Sequence, residues 1–143
     1  MKITFLGGGN MAYALIGGLI GQEFDPAGLR VVEPLAENRS RLASDYGVAC
    51  SERTDAASLA CDALVLAVKP QQMREALSPL AGRMAGQLVV SIAAGTRLAD
   101  ISRWLGGHRR LVRCMPNTPA LIGAGITGLY ADPSVDDAGR RQA

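Results

Sequence analysis

A chain of 143 residues has room for one domain built round a single sizeable core. Apolar residues make up 48% and charged residues 20%, a balance that excludes a disordered chain. Fifteen Lys and Arg against 13 Asp and Glu leave a net charge of only +2, too small and too scattered for nucleic acid to be the main partner.

The first predicted strand is Ile3-Thr4-Phe5-Leu6. A helical stripe follows, with Met11, Leu15 and Leu19 in line and Ala12, Ile16 and Ile20 beside them. Leu29 to Val32 reads as the second strand, and Glu37 to Tyr46 as a surface helix. Val48-Ala49-Cys50 is a short strand stub. Ala63 to Val68 is apolar throughout, as expected of a strand covered on both faces, and Leu88 to Ile92 repeats that character. Between these two, Gln71 to Met84 has the composition of a surface helix. Leu98, Ile101 and Leu105 mark a further helix beginning near Thr96. A weaker strand is predicted at Leu111 to Cys114.

Beyond Cys114 the pattern changes. Met115-Pro116-Asn117-Thr118-Pro119 is a stiff loop, because each proline fixes its own φ and restricts the residue before it. Gly123, Gly125 and Gly128 then punctuate an edge hairpin ending near Tyr130. Ser134 to Ala143 starts like a capped helix and carries no apolar stripe. Strand and helix alternation of this kind predicts an α/β fold: a doubly wound, mostly parallel sheet with an edge hairpin near the C-terminal end. Residues 1–131 form that domain, and 132–143 are expected to begin a connection to something larger.

The chemistry-bearing motif is Gly7-Gly8-Gly9-Asn10-Met11-Ala12, a GxGxxA loop placed between Leu6 at the end of a strand and a helix starting near Asn10. Gly7 allows the tight turn, Gly9 lets a pyrophosphate approach the backbone, and Ala12 keeps the helix close to the sheet. The free N–H groups of Asn10 and Met11, at the positive end of the helix dipole, face the phosphates. Gly17 and Gly18 weaken this helix and are expected to allow close packing on its buried side. Glu33 ends the second strand 21 positions beyond Ala12, near the spacing of a ribose-binding acid. The fold is thus a Rossmann domain for NAD or NADP. Glu33 favours NADH, since a carboxylate there repels a 2′-phosphate; Arg39 and Arg41 in the next helix are the cations that would oppose it.

Other features point away from further chemistry. Cys50, Cys61 and Cys114 form no CxxC pair and His108 is the lone histidine, so no metal site is expected and a reduced, cytoplasmic setting fits best. The apolar start is broken at once by three glycines and Asn10, unlike a signal peptide, and no run is long enough for a bilayer, so no membrane partner is expected. Arg109, Arg110 and Arg113 read as a solvated basic group, His108 as solvent-facing in a Gly106-Gly107 turn, Cys114 as a small buried residue and Trp104 as core.

Three further segments, Ala67-Val68-Lys69-Pro70-Gln71, Ser91-Ile92-Ala93-Ala94-Gly95 and Arg113-Cys114-Met115-Pro116-Asn117-Thr118-Pro119, sharpen the reading. Together with Phe5 to Ala12, their order and spacing resemble pyrroline-5-carboxylate reductase over nearly the whole chain. The resemblance implies hydride transfer from NAD(P)H to the imine carbon of 1-pyrroline-5-carboxylate, giving L-proline. It also implies a helical C-terminal domain, absent from this chain, that carries most of the substrate pocket and makes the homo-oligomer. By the same resemblance Ala67, Val68, Lys69 and Pro70 contact the nicotinamide-side ribose, and Met115 to Thr118 border the substrate. Thr54 lies where many family members have Asn near the adenosine. The small residues Ala93, Ala94 and Gly95 would let a flat nicotinamide ring lie against the backbone. Two residues have alternatives: Lys69 touches the cofactor or is merely solvated, and Asn117 borders the site or only organises its loop. No catalytic residue is expected in this domain, because a cyclic imine protonates readily. The rival readings are a hydroxyacid or prephenate dehydrogenase, and a dinucleotide-sensing module without catalysis.

Overall fold

The alternating apolar runs pair as one sheet in the computed structural model, which describes residues 1–117, 119, 122 and 124–143. Strands β1 (Ile3–Leu6), β2 (Leu29–Val32), β3 (Ala49–Ser51), β4 (Ala63–Leu66), β5 (Leu88–Ser91), β6 (Leu111–Met115) and β7 (Gly128–Ala131) lie in the order β3-β2-β1-β4-β5-β6-β7. The first six are parallel; β7 pairs antiparallel with β6, Met115 opposite Gly128, and forms the predicted edge.

Both faces of the sheet are covered, which is why its central strands carry few polar residues. On one face Ile3, Phe5 and Val31 pack with Ala12 and Ile16 of α1 (Asn10–Gly21), with Leu42 of α2 (Ala36–Tyr46) and with Val135. On the other, Leu64, Leu66 and Val89 pack with Leu59 of α3 (Ala56–Leu59), Met73 and Leu77 of α4 (Met73–Leu77) and Ile101 of α5 (Leu98–Trp104). Trp104 is only partly buried, at the margin of that second cluster.

Several expectations are corrected. In α1 the deeply buried positions are Ala12, Ala14 and Ile16, while Met11, Leu15 and Leu19 are half-buried. Ala12 lets the helix axis approach the sheet beside the buried Ile16, and Met11, Leu15 and Leu19 lie at its margins. Of the two glycines in α1, only Gly17 is needed for packing: a Cβ there would run into the Tyr46 hydroxyl, whereas one at Gly18 would meet nothing within 4 Å. The predicted helix over 71–84 is broken into a 3-10 turn at Pro70–Gln72, α4, and a second 3-10 turn at Ser78–Leu80. Pro79 has no N–H to continue the ladder, so α4 ends there. Helix α3 went unpredicted, although Asp55 and Ser58 form a capping box with bonds of 2.7 and 2.8 Å.

His108 is half-buried rather than solvent-facing, its Nε2 lying 2.9 Å from the Gln87 carbonyl oxygen. Arg109 and Arg110 are not simply solvated, since they pair with Asp132 at 3.5 Å and Asp136 at 3.9 Å. Cys114 is buried, as expected. The last segment docks back on the domain through Val135, 2% exposed, and α6 (Asp137–Gln142), whose N-cap is Asp136. Among the described residues no helix is long and apolar enough to cross a membrane.

Candidate dinucleotide site

Because β1 to β6 run the same way, every loop that follows one of them opens on a single edge of the sheet. The glycine loop leaves β1 at the centre of that edge. Glu33 follows β2, Thr54 lies just beyond β3, Ala67 to Pro70 follow β4, Ala93 to Gly95 follow β5, and Asn117 follows β6. The crevice they line spans five strand spacings, about 24 Å.

Local sequence shapes the centre tightly. Gly7 has φ +103°, and a Cβ on it would sit 2.8 Å from the Ala67 carbonyl carbon. Its N–H donates to Val32 O at 2.8 Å, and Ala67 N–H donates to Leu6 O at 2.8 Å, so the loop is stitched to both flanking strands. Leu6 itself is core and offers only backbone. Gly8 lies against Leu42 and the Glu33 side chain, where an added Cβ would come within 2.9 and 3.1 Å. Gly9 differs: an added Cβ would meet nothing within 4 Å, leaving open space above the loop. Gly9 is also the N-cap of α1, and no side chain caps that helix, so its first-turn amides at Asn10 and Met11 remain available to an anion.

Glu33 sits where the spacing placed it, at the end of β2 beside the loop. It is 6% exposed, and both oxygens already accept backbone bonds: Oε2 from Gly8 N–H at 2.7 Å, Oε1 from Leu35 N–H at 2.8 Å. The carboxylate is therefore a fixed negative charge in the floor of the crevice rather than a freely swinging acceptor. Arg39 donates to the carbonyl oxygens of Glu33 and Pro34 at 2.7 and 2.6 Å, which pins the same turn. Arg41 reaches the other way, 3.4 Å from Asn10 Oδ1 and stacked on Tyr13 with its guanidinium carbon 4.3 Å from the ring centre. Neighbouring Tyr46 and Asp45 hold the Tyr13 hydroxyl protonated well above the ordinary phenol range.

The remaining residues divide. Lys69 and Pro70 are exposed on the β4 loop, with Ala67 and Val68 half-buried beneath them. Ala94 and Gly95 are exposed, and Gly95 has φ +72° with open space at its Cβ position, so the backbone there is bare. Ala93 instead turns its side chain into the core. Asn117 accepts from Ile126 N–H at 3.0 Å, the loop-organising role. Thr54, beyond β3, is half-buried at the opposite end of the edge from Asn117, which follows β6. Thr118 and Gly123 lie outside the described residues. The described residues hold no cluster of three His, Cys, Asp or Glu side chains suited to a metal ion.

Residues 2–95 match the family described as NADP oxidoreductase, coenzyme F420-dependent. The chain belongs to this family. Within the wider set of similar proteins, the pyrroline-5-carboxylate reductase of Pseudomonas aeruginosa is 45% identical over 143 residues, covering 99% of this chain and 52% of the relative. The Escherichia coli K12 protein of the same name is 38% identical over 130 residues, covering 90% and 48%. The structure of a pyrroline-5-carboxylate reductase from Coxiella burnetii superposes with a TM-score of 0.93 at 36% identity, over 99% of this chain and 53% of that one. The chain thus spans about half the length of the relatives it matches.

Proposed function

We propose that this chain is the cofactor half of a pyrroline-5-carboxylate reductase. On this reading, residues 1–131 hold a nicotinamide dinucleotide, and residues 132–143 begin the connection to a helical domain that carries the substrate pocket and makes the homo-oligomer. The observation that carries the reading is the open cradle at Gly9, which follows two glycines packed against their neighbours and faces the uncapped start of α1. The 45% identity along the whole chain supports the choice of reductase over other dehydrogenases and over a sensing module.

When bound, the dinucleotide would supply a hydride for the imine carbon of 1-pyrroline-5-carboxylate, whose ring nitrogen takes its proton from solvent, yielding L-proline. This chain's residues bind and orient. Amides of Gly9, Asn10 and Met11 hold the pyrophosphate, the β4 loop from Ala67 to Pro70 borders the nicotinamide-side ribose, and the bare backbone at Ala94 and Gly95 receives the flat ring. No side chain here is assigned an acid or base role.

Within this reading NADH is preferred over NADPH. Support comes from the fixed Glu33 carboxylate beneath the adenosine ribose and from Arg39, whose guanidinium is tied to the Glu33 and Pro34 carbonyls instead of facing a 2′-phosphate. A tenfold preference needs only ~1.4 kcal/mol, within reach of one repulsive contact with a phosphate of about −2 charge. Fluorescence titration with NADH tests the core of the reading. Gly9→Val is expected to abolish binding while the fold persists; unchanged affinity in the variant removes the phosphate-loop assignment.

A further inference from the structure

Three positive side chains, Arg39, Arg41 and Arg53, lie near the adenosine half of the crevice, and two of them are already committed. Arg39 donates to two carbonyl oxygens and lies 3.9 Å from Glu52; Arg53 is exposed and lies 3.7 Å from the same Glu52. Arg41 is different. Among the described residues no carboxylate lies within 4 Å of it, and its buried Nε has no hydrogen-bond partner. Asp45, four residues on in α2, is taken up by the Tyr13 hydroxyl at 2.9 Å.

The charge is nevertheless held in place. Stacking on Tyr13 fixes the guanidinium plane, and its one polar contact is the long 3.4 Å bond to Asn10. Asn10 is the first residue of α1, beside the amides that face an incoming phosphate. A diphosphate brought here would come near the buried Glu33 carboxylate, with only backbone dipoles to offset the like charges. An unpaired, preoriented arginine at the helix start would supply that compensation, since guanidinium–phosphate bonds are charge-assisted.

We propose that Arg41, outside the glycine loop, donates to the pyrophosphate of the bound dinucleotide and so serves NADH and NADPH alike. The proposal rests on the dinucleotide reading above. It assigns Arg41 to the pyrophosphate and not to a 2′-phosphate because its side chain meets α1 at Asn10, whereas the ribose end is marked by Glu33 and held by Arg39.

The test is titration of the 143-residue chain and of Arg41→Met with NADH and with NADPH, at several salt concentrations. Methionine keeps the apolar stem over Tyr13 and removes the charge. Both affinities are expected to fall by the same factor, about tenfold, with their ratio unmoved. The salt dependence of binding should flatten, which a merely structural loss would not produce, and Arg41→Lys should recover part of the affinity. If Arg41→Met fails to fold, Arg41→Gln is read in the same way. Unchanged affinity, unchanged salt dependence, or weakening confined to NADPH overturns the proposal. If the unmodified chain binds neither dinucleotide, the dinucleotide reading fails first and takes this proposal with it.

Discussion

Gly7 and Gly9 stand two residues apart yet are constrained by different things. Gly7 is held by the protein: its φ of +103° and the 2.8 Å approach to Ala67 leave no place for a side chain. Gly7→Ala is expected to cost about 1–3 kcal/mol in strain, and more if the β1–β4 contact has to open. Thermal or denaturant melting would read this, and an unchanged midpoint would contradict it. Gly9 is free on the protein side, so its substitution should show up in binding and hardly in melting. The sequence motif marks both glycines but does not separate their jobs, because the collision at Gly7 comes from a residue 60 positions away. Glu33 teaches the same lesson. Its spacing from Ala12 locates the carboxylate, but neither the tertiary bond from Gly8 nor the local one from Leu35 leaves a periodic trace. These bonds also set the choice of variant: Glu33→Gln keeps the size and one acceptor, where a shorter side chain would remove the loop's anchor along with the charge. That variant is expected to shrink the NADH preference. If the two dissociation constants keep their ratio, Glu33 does not select the cofactor.

At the scale of elements, strands were far more legible than helices. β1 and β2 fall where the apolar runs placed them, because strands covered on both faces leave continuous apolar signals. The helix expected over 71–84 is broken because composition speaks for helix while the single Pro79 vetoes it. The turn between α5 and β6 hides another tertiary contact. Burial pushes the His108 imidazole below its ordinary value of 6.5, outweighing the bond to Gln87 that raises it. Below pH 6.5 the unfolded chain therefore binds the proton more readily than the folded one. The contribution of His108 is complete above pH 6.5 and is lost as pH falls through the depressed folded value. His108→Gln should thus flatten the acid limb of a melting-temperature profile taken between about pH 7.5 and 5. An unaltered limb would mean that other groups govern it. The half exposure of the ring keeps the effect small.

For the molecule as a whole, the proposed division of labour makes a direct claim. The isolated 143 residues should bind dinucleotide, dimerise weakly at most, and fail to reduce pyrroline-5-carboxylate, since among the described residues no side chain at the crevice is assigned acid–base work. Turnover at a rate near that of a complete reductase would sink the division, and sedimentation would test the weak association. Among the described residues, five of the seven large exposed apolar side chains, Met115, Ile122, Ile126, Leu129 and Tyr130, fall between the end of β6 and β7. Composition could not reveal this, because an apolar residue reads the same in a sequence whether or not it is covered.

The strand order carries a consequence for how the chain assembles as it is synthesised. Reading outward from β1, β2 and then β3 lie on one side, and β4, β5, β6 and β7 follow in turn on the other. Each strand, as it leaves the ribosome, therefore meets a template edge already made by a strand that preceded it. None has to wait for a later strand or wedge between two that have paired. Parallel sheets are slow to form because distant segments must find each other and expose sticky edges while they search. Vectorial growth from an interior first strand shortens that search, since each new strand adds at an outer edge.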